Sequence, residues 1–89
     1  MKNASIKLTN RLGLHARAAS KLVQTATGYE SEIWIRKEHQ RVNGKSIMGI
    51  LMLAAPCGTE LELESDGPDE DEAMEALVNL IENRFGEGQ

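Results

Sequence analysis

Ala4, Ile6 and Leu8 alternate with Ser5, Lys7 and Thr9, the two-residue period of a strand with one face buried. Asn10 to Leu14 breaks that alternation and reads as a loop. From Ala16 the period lengthens. Ala19, Leu22, Val23 and Ala26 fall at i, i+3, i+4 and i+7, one apolar stripe along a helix that Gly28 closes. Ile33 and Ile35 then alternate with Glu32, Trp34 and Arg36 in a second strand. Lys37 to Gln40 is polar and turn-like, and Arg41 to Asn43 suffices for a brief third strand.

Asn43-Gly44-Lys45 breaks the chain again, and Ser46 is a natural N-cap for a second helix. Ile47, Ile50, Leu51 and Ala54 mark its expected buried stripe, with Met48 and Met52 one step round. After Pro56-Cys57-Gly58, Leu61 and Leu63 alternate with Glu60, Glu62 and Glu64 in a fourth strand whose outer face is acidic. Asp69 and Glu72 have the spacing of a capping box, and Ala73, Leu77, Leu80 and Ile81 run along a third helix ending near Gly86. The order βαββαβα predicts an α+β fold, an open two-layer sandwich of three helices on a four-stranded sheet. Right-handed crossovers predict the first and third strands side by side in the sheet interior.

The 89 residues suit one domain, spanning 1–89. Met1-Lys2 leads straight into the first strand, without the apolar stretch of a signal peptide. The run from Ile47 to Cys57 is broken by Gly49 and falls short of the ~20 residues that cross a bilayer. The single cysteine, Cys57, excludes an internal disulfide and reads as a free thiol in a loop. A cytosolic protein without membrane insertion is expected.

Charge changes the picture more than composition does. Residues 1–45 hold nine Lys/Arg against three Asp/Glu, a net +6, while residues 46–89 hold one against eleven, a net −10. Arg11, Arg17, Lys21 and Lys45 bracket the Gly13-Leu14-His15 segment and Ser46. A local basic field in an acidic chain suits an anionic group or an acidic partner. An overall acidic balance with one Phe, one Tyr and one Trp speaks against nucleic-acid binding.

His15 falls at the mouth of the first helix, beside unpaired backbone N–H groups and the positive end of the dipole. That setting disfavours imidazolium, and a neutral ring nitrogen can attack a phosphoryl group in line. The N–H groups of Ala16, Arg17 and Ala18 would receive the transferred oxygens, and the Arg17 guanidinium would neutralise them. No metal-ligand cluster, nucleotide loop or second catalytic group accompanies the histidine, so no metal and no cofactor are expected. From the residues alone, two readings stand side by side: an ordinary capping histidine, or a group acceptor and donor. His39, in a polar turn, reads as solvent-facing.

Gly13-Leu14-His15-Ala16-Arg17 closely resembles the active-site signature of the HPr family, the histidine-containing phosphocarriers of the bacterial phosphoenolpyruvate-dependent phosphotransferase system (PTS). Asn43-Gly44-Lys45-Ser46-Ile47-Met48-Gly49 is similar to the family's regulatory serine segment, and the element order is the family's own. The resemblance implies that His15 takes a phosphoryl group from enzyme I on Nδ1 and passes it to EIIA-type proteins. Arg17 would contact the phosphate, and HPr kinase/phosphorylase would modify Ser46. Such a carrier is a stoichiometric intermediate rather than a turnover enzyme, and most simply a monomer. Ala18 stands where the family often has proline; alanine restores an amide donor at the first helical turn.

Met48, with Ile47 and Leu51, is expected to form an apolar docking patch near His15, rimmed by Arg17, Lys21 and Lys45. The nitrogen-related PTS branch uses the same histidine motif and is the alternative within this class. A regulatory binding module without phosphotransfer is the alternative outside it.

Overall fold

The computed structural model describes residues 1–86. Its elements are β1 (Lys2–Lys7), α1 (Ala16–Thr27), β2 (Glu32–Lys37), β3 (Gln40–Asn43), α2 (Ile47–Met52), β4 (Glu60–Asp66) and α3 (Glu70–Glu82), followed by a 3-10 turn, Arg84–Gly86. The α+β expectation holds. Three helices cover one face of a four-stranded antiparallel sheet.

The alternation in each strand sets what the sheet buries. Ala4, Leu63, Ile35 and Val42 lie in one cross-strand row, facing the helices. Leu22, Ile50, Leu53, Leu77, Ile81 and Phe85 close the core above Ile33, Ile35, Leu61 and Leu63, all at most 1 % exposed. Burying each such side chain is worth about 1.5–3 kcal/mol, which is what holds the helices to the sheet.

The strand order is β1-β4-β2-β3, so β1 and β3 are the edges and not, as expected, interior neighbours. The crossover rule sets the hand of a connection and leaves adjacency open. Charge and burial favour the observed order. The acidic outer face of β4 lies between basic strands, with Glu60 opposite Lys7 and Glu62 opposite Arg36. Arg36 forms an ion pair with Glu62, and Arg41 reaches Glu64 at 3.1 Å while stacking over the Trp34 ring at 4.1 Å. Opposite charges across a ladder stabilise it.

Two local expectations are also corrected. Asp69 makes no side-chain capping bond to its own helix, so the Asp69/Glu72 capping box does not form. Its carboxylate instead accepts the N–H groups of Glu30 and Ser31, each at 2.9 Å, and the Ser31 hydroxyl. These charged-acceptor bonds, that from the Ser31 hydroxyl foremost and the Glu30 amide next, hold the Asp69 carboxyl below its ordinary pKa. They tie the start of α3 to the α1–β2 turn.

In α2, Ile47 and Ala54 are exposed rather than buried. The helix is only six residues long, so a partner seven positions from Ile47 lies beyond its end. Ala54 turns the chain at φ +50, and Leu53 fills the buried position.

Candidate functional site

The loop between β1 and α1 is built around Gly13, whose φ of +66 favours a residue without a side chain. A Cβ there would come within 2.4 Å of the Ala55 carbonyl oxygen and 2.8 Å of Pro56 Cα. The close approach lets the Leu14 N–H reach the Ala55 carbonyl at 2.9 Å, docking the loop on the segment that follows α2. Leu14 itself is buried, which anchors the chain one residue before the histidine.

The Gly13 carbonyl accepts twice. The side-chain amide of Asn10 donates to it at 2.7 Å, and the N–H of His15 at 3.0 Å. The Gly13 N–H in turn donates to the Asn10 carbonyl at 3.1 Å. Asn10 is fully buried. Sequence reasoning left it as anonymous loop, although asparagine three residues before a glycine is a turn signal.

His15 is the N-cap of α1, with extended backbone at φ −80 and ψ 177. Its carbonyl accepts the first intrahelical bond, from the Ala19 N–H at 2.8 Å, and its Nδ1 accepts the Arg17 N–H at 3.3 Å. A ring nitrogen that accepts bears a lone pair, so a neutral ring in this pose carries its proton on Nε2. The ring is half-buried and Arg17 is exposed. Helix geometry leaves the N–H groups of Ala16, Arg17 and Ala18 without intrahelical acceptors. Ala16 is exposed, whereas the Ala18 methyl lies wholly in the core, so Ala18 offers only its backbone amide. The arrangement can take an anion and can attack an electrophile with one nitrogen.

Ser46 caps α2 as the sequence predicts, its Oγ accepting the Gly49 N–H at 3.1 Å. Because α2 packs against α1, the caps His15 and Ser46 belong to adjoining helices. Met48 and Met52 are 70 % and 68 % exposed and Ile47 43 %, with Leu51 half-buried beside them. Leu12, in the histidine loop, is 66 % exposed and was not foreseen as part of an apolar surface.

The basic rim is less free than its charges imply. The Lys21 ammonium donates to the Phe85 carbonyl at 2.5 Å, and that of Lys45 to the Tyr29 carbonyl at 2.8 Å. His39 is exposed in the β2–β3 turn, and Cys57 is an exposed free thiol in the α2–β4 connection. Among the described residues no group of three or more His, Cys, Asp or Glu is placed to hold a metal ion. Among the same residues no helix is long and apolar enough to cross a membrane.

A family model described as "PTS HPr component phosphorylation site" matches residues 2–83. The phosphocarrier protein HPr of Neisseria meningitidis is 58% identical over 89 residues, 100% of both chains. That of Cupriavidus necator is 54% identical over 82 residues, 92% of each. Among solved structures, HPr-C-His from Thermoanaerobacter tengcongensis superposes with a TM-score of 0.95 at 49% identity, covering 98% of both chains.

Proposed function

The chain belongs to the PTS HPr family of phosphocarrier proteins, and from that premise we propose that Nδ1 of His15 is the atom that carries the phosphoryl group. Phospho-enzyme I is the donor and EIIA-type proteins are the acceptors. The observation that carries this reading is the 3.3 Å contact between Nδ1 and the Arg17 N–H. It aims the lone pair of the nucleophile along the amide-lined helix start.

In the forward step the Nδ1 lone pair attacks phosphorus in line, an N–P bond forms, and the bond from phosphorus to the donor's leaving group breaks. The ring proton stays on Nε2. As the group arrives its oxygens replace Nδ1 as acceptors of the Arg17 N–H, joined by those of Ala16 and Ala18. The exposed Arg17 guanidinium swings onto the same oxygens. Transfer to EIIA reverses these steps, with phosphorus leaving Nδ1 for the acceptor's nucleophile.

The exposed side chains of Ile47 and Met48, with the half-buried Leu51, form the docking patch, and pliable methionine suits a surface that meets several partners. Lys21 and Lys45 supply positive potential at its edge even while their ammonium groups bind backbone carbonyls. Residues 1–89 act as one HPr domain, a monomer working in the cytosol. HPr kinase/phosphorylase modifies Ser46, whose oxygen faces the Gly49 N–H, and the added charge alters docking rather than fold.

Incubation with phosphoenolpyruvate and enzyme I, followed by mass spectrometry, tests the reading. One acid-labile phosphoryl group is expected on the wild type and none on His15→Ala. Equal labelling of both proteins, or no labelling of either, overturns it.

A further inference from the structure

Resting on the carrier reading of His15, we propose that Asn10 is a positioning residue for phosphoryl transfer, acting on the histidine through the Gly13 carbonyl. The link from Asn10 to His15 runs through one shared acceptor. The Gly13 oxygen receives the Asn10 side-chain amide at 2.7 Å and the backbone N–H of His15 at 3.0 Å. A carbonyl can be met only by the NH₂ end of the asparagine, so the amide's orientation is dictated.

Three constraints converge on this carbonyl. The Gly13 N–H closes back on the Asn10 carbonyl at 3.1 Å, fixing the turn from behind. The absence of a Cβ lets Gly13 press against Ala55 and Pro56. The Leu14 N–H holds the far side to the Ala55 carbonyl at 2.9 Å. With those in place, the Asn10 amide sets the direction of the Gly13 carbonyl, and that direction sets where the His15 N–H points. The peptide plane before His15 then fixes the line along which Nδ1 meets the Arg17 N–H.

Full burial makes the asparagine bond both stronger and harder to replace by water. A misplacement of about 1 Å at a nucleophile costs up to ~100-fold in rate, so a loop that fixes the ring angle has a direct kinetic return. Ile47, Met48 and Leu51 lie on α2, outside the loop that Asn10 holds, so an effect through Asn10 is expected on kcat rather than on KM.

The test uses the full chain as the substrate of phospho-enzyme I. Asn10→Ala and Asn10→Asp each remove the NH₂ donor, the second while keeping its shape. Both are expected to lower kcat by about ten- to a hundredfold with KM changed by less than about twofold. Ser65→Ala, which removes a buried hydroxyl bond from β4 to the Glu70 carbonyl at the start of α3 and touches no residue of the β1–α1 loop, serves as a control for loss of a buried polar bond and is expected to keep wild-type kcat.

The second readout is the nitrogen-15 spectrum of the His15 ring. The wild type should show Nε2 protonated and Nδ1 as a hydrogen-bonded acceptor, and the Asn10 variants a mixture of both tautomers. In the unmutated protein, phosphorylation of His15 should also shift the Asn10 side-chain amide resonances, a test that survives if the variants fail to fold. Wild-type kcat with an unchanged ring spectrum in either folded variant overturns the proposal, as does an Asn10 amide indifferent to phosphorylation. If the wild type itself never accepts phosphate, the carrier reading falls, and an unchanged ring spectrum in the variants would then separately remove Asn10's hold on His15.

Discussion

Nδ1 of His15 accepts the backbone N–H of Arg17 at 3.3 Å, across one intervening residue. The imidazole thereby caps α1. In the proposed transfer, phosphoryl oxygens would take its place at the same amide, so the helix start would keep an acceptor throughout the cycle and its donors would need no rearrangement.

Because those donors are backbone groups, Arg17→Ala removes only the guanidinium and leaves the Nδ1 contact in place. The expected result is a loss of about ten- to thirtyfold in the rate of His15 phosphorylation, the scale of one charge-assisted hydrogen bond partly screened by solvent. Quenched-flow transfer from phospho-enzyme I measures it. Unfolding by urea should be nearly unchanged, since the side chain is exposed.

Gly13→Ala should damage fold and site together. A residue with a Cβ at φ +66 costs about 1–2 kcal/mol in backbone energy, and here the new atom also meets the Ala55 carbonyl oxygen at 2.4 Å. A stability loss above about 2 kcal/mol by chemical denaturation is expected. Phosphotransfer should fall with it, because relief of the clash moves Leu14 and His15 off their anchor. A variant of wild-type stability would mean that the loop does not press on Ala55 as described.

Ser46 separates capping from charge. Ser46→Ala should cost about 1 kcal/mol through loss of the Gly49 N–H bond and leave acceptance of phosphate at the wild-type rate. Ser46→Asp retains a capping oxygen and should cost less stability, yet slow transfer from phospho-enzyme I by adding negative charge beside the docking patch. Parallel denaturation and transfer rates on the two variants check the pair. A Ser46→Asp variant as fast as wild type excludes the charge effect.

The features legible in the sequence were those written within a few neighbouring residues. Leu61 and Leu63 between glutamates declared a strand and its buried face, and the caps His15 and Ser46 marked two helix starts. Strand order was not legible, because it depends on Glu60 and Glu62 meeting Lys7 and Arg36 across the sheet. Asn10 was missed for a similar reason, since its burial comes from packing rather than pattern. Asp69 misled most directly. Its spacing to Glu72 fits a local cap, but partners 38 and 39 residues earlier in the chain win the carboxylate. Where a polar side chain has both a local and a distant partner on offer, the fold decides.

That distant partnership predicts a pH dependence. Bonds from the Ser31 hydroxyl and the Glu30 amide favour the charged form of Asp69, so its pKa in the folded protein lies below the ordinary 3.8. A group depressed by folding stabilises the protein fully above its unfolded pKa, and the contribution is lost as pH falls through the folded value. The stability of wild type relative to Asp69→Asn should therefore be constant from neutral pH down to about 5, then shrink as pH drops below the ordinary carboxylate pKa. Glu70, also depressed by the Gly67 amide and the chain's amino terminus, titrates in both proteins and is removed by the comparison. Urea unfolding across a pH series measures the gap. A gap that stays the same down to strong acid would mean that Asp69 does not clamp the α1–β2 turn through its charge.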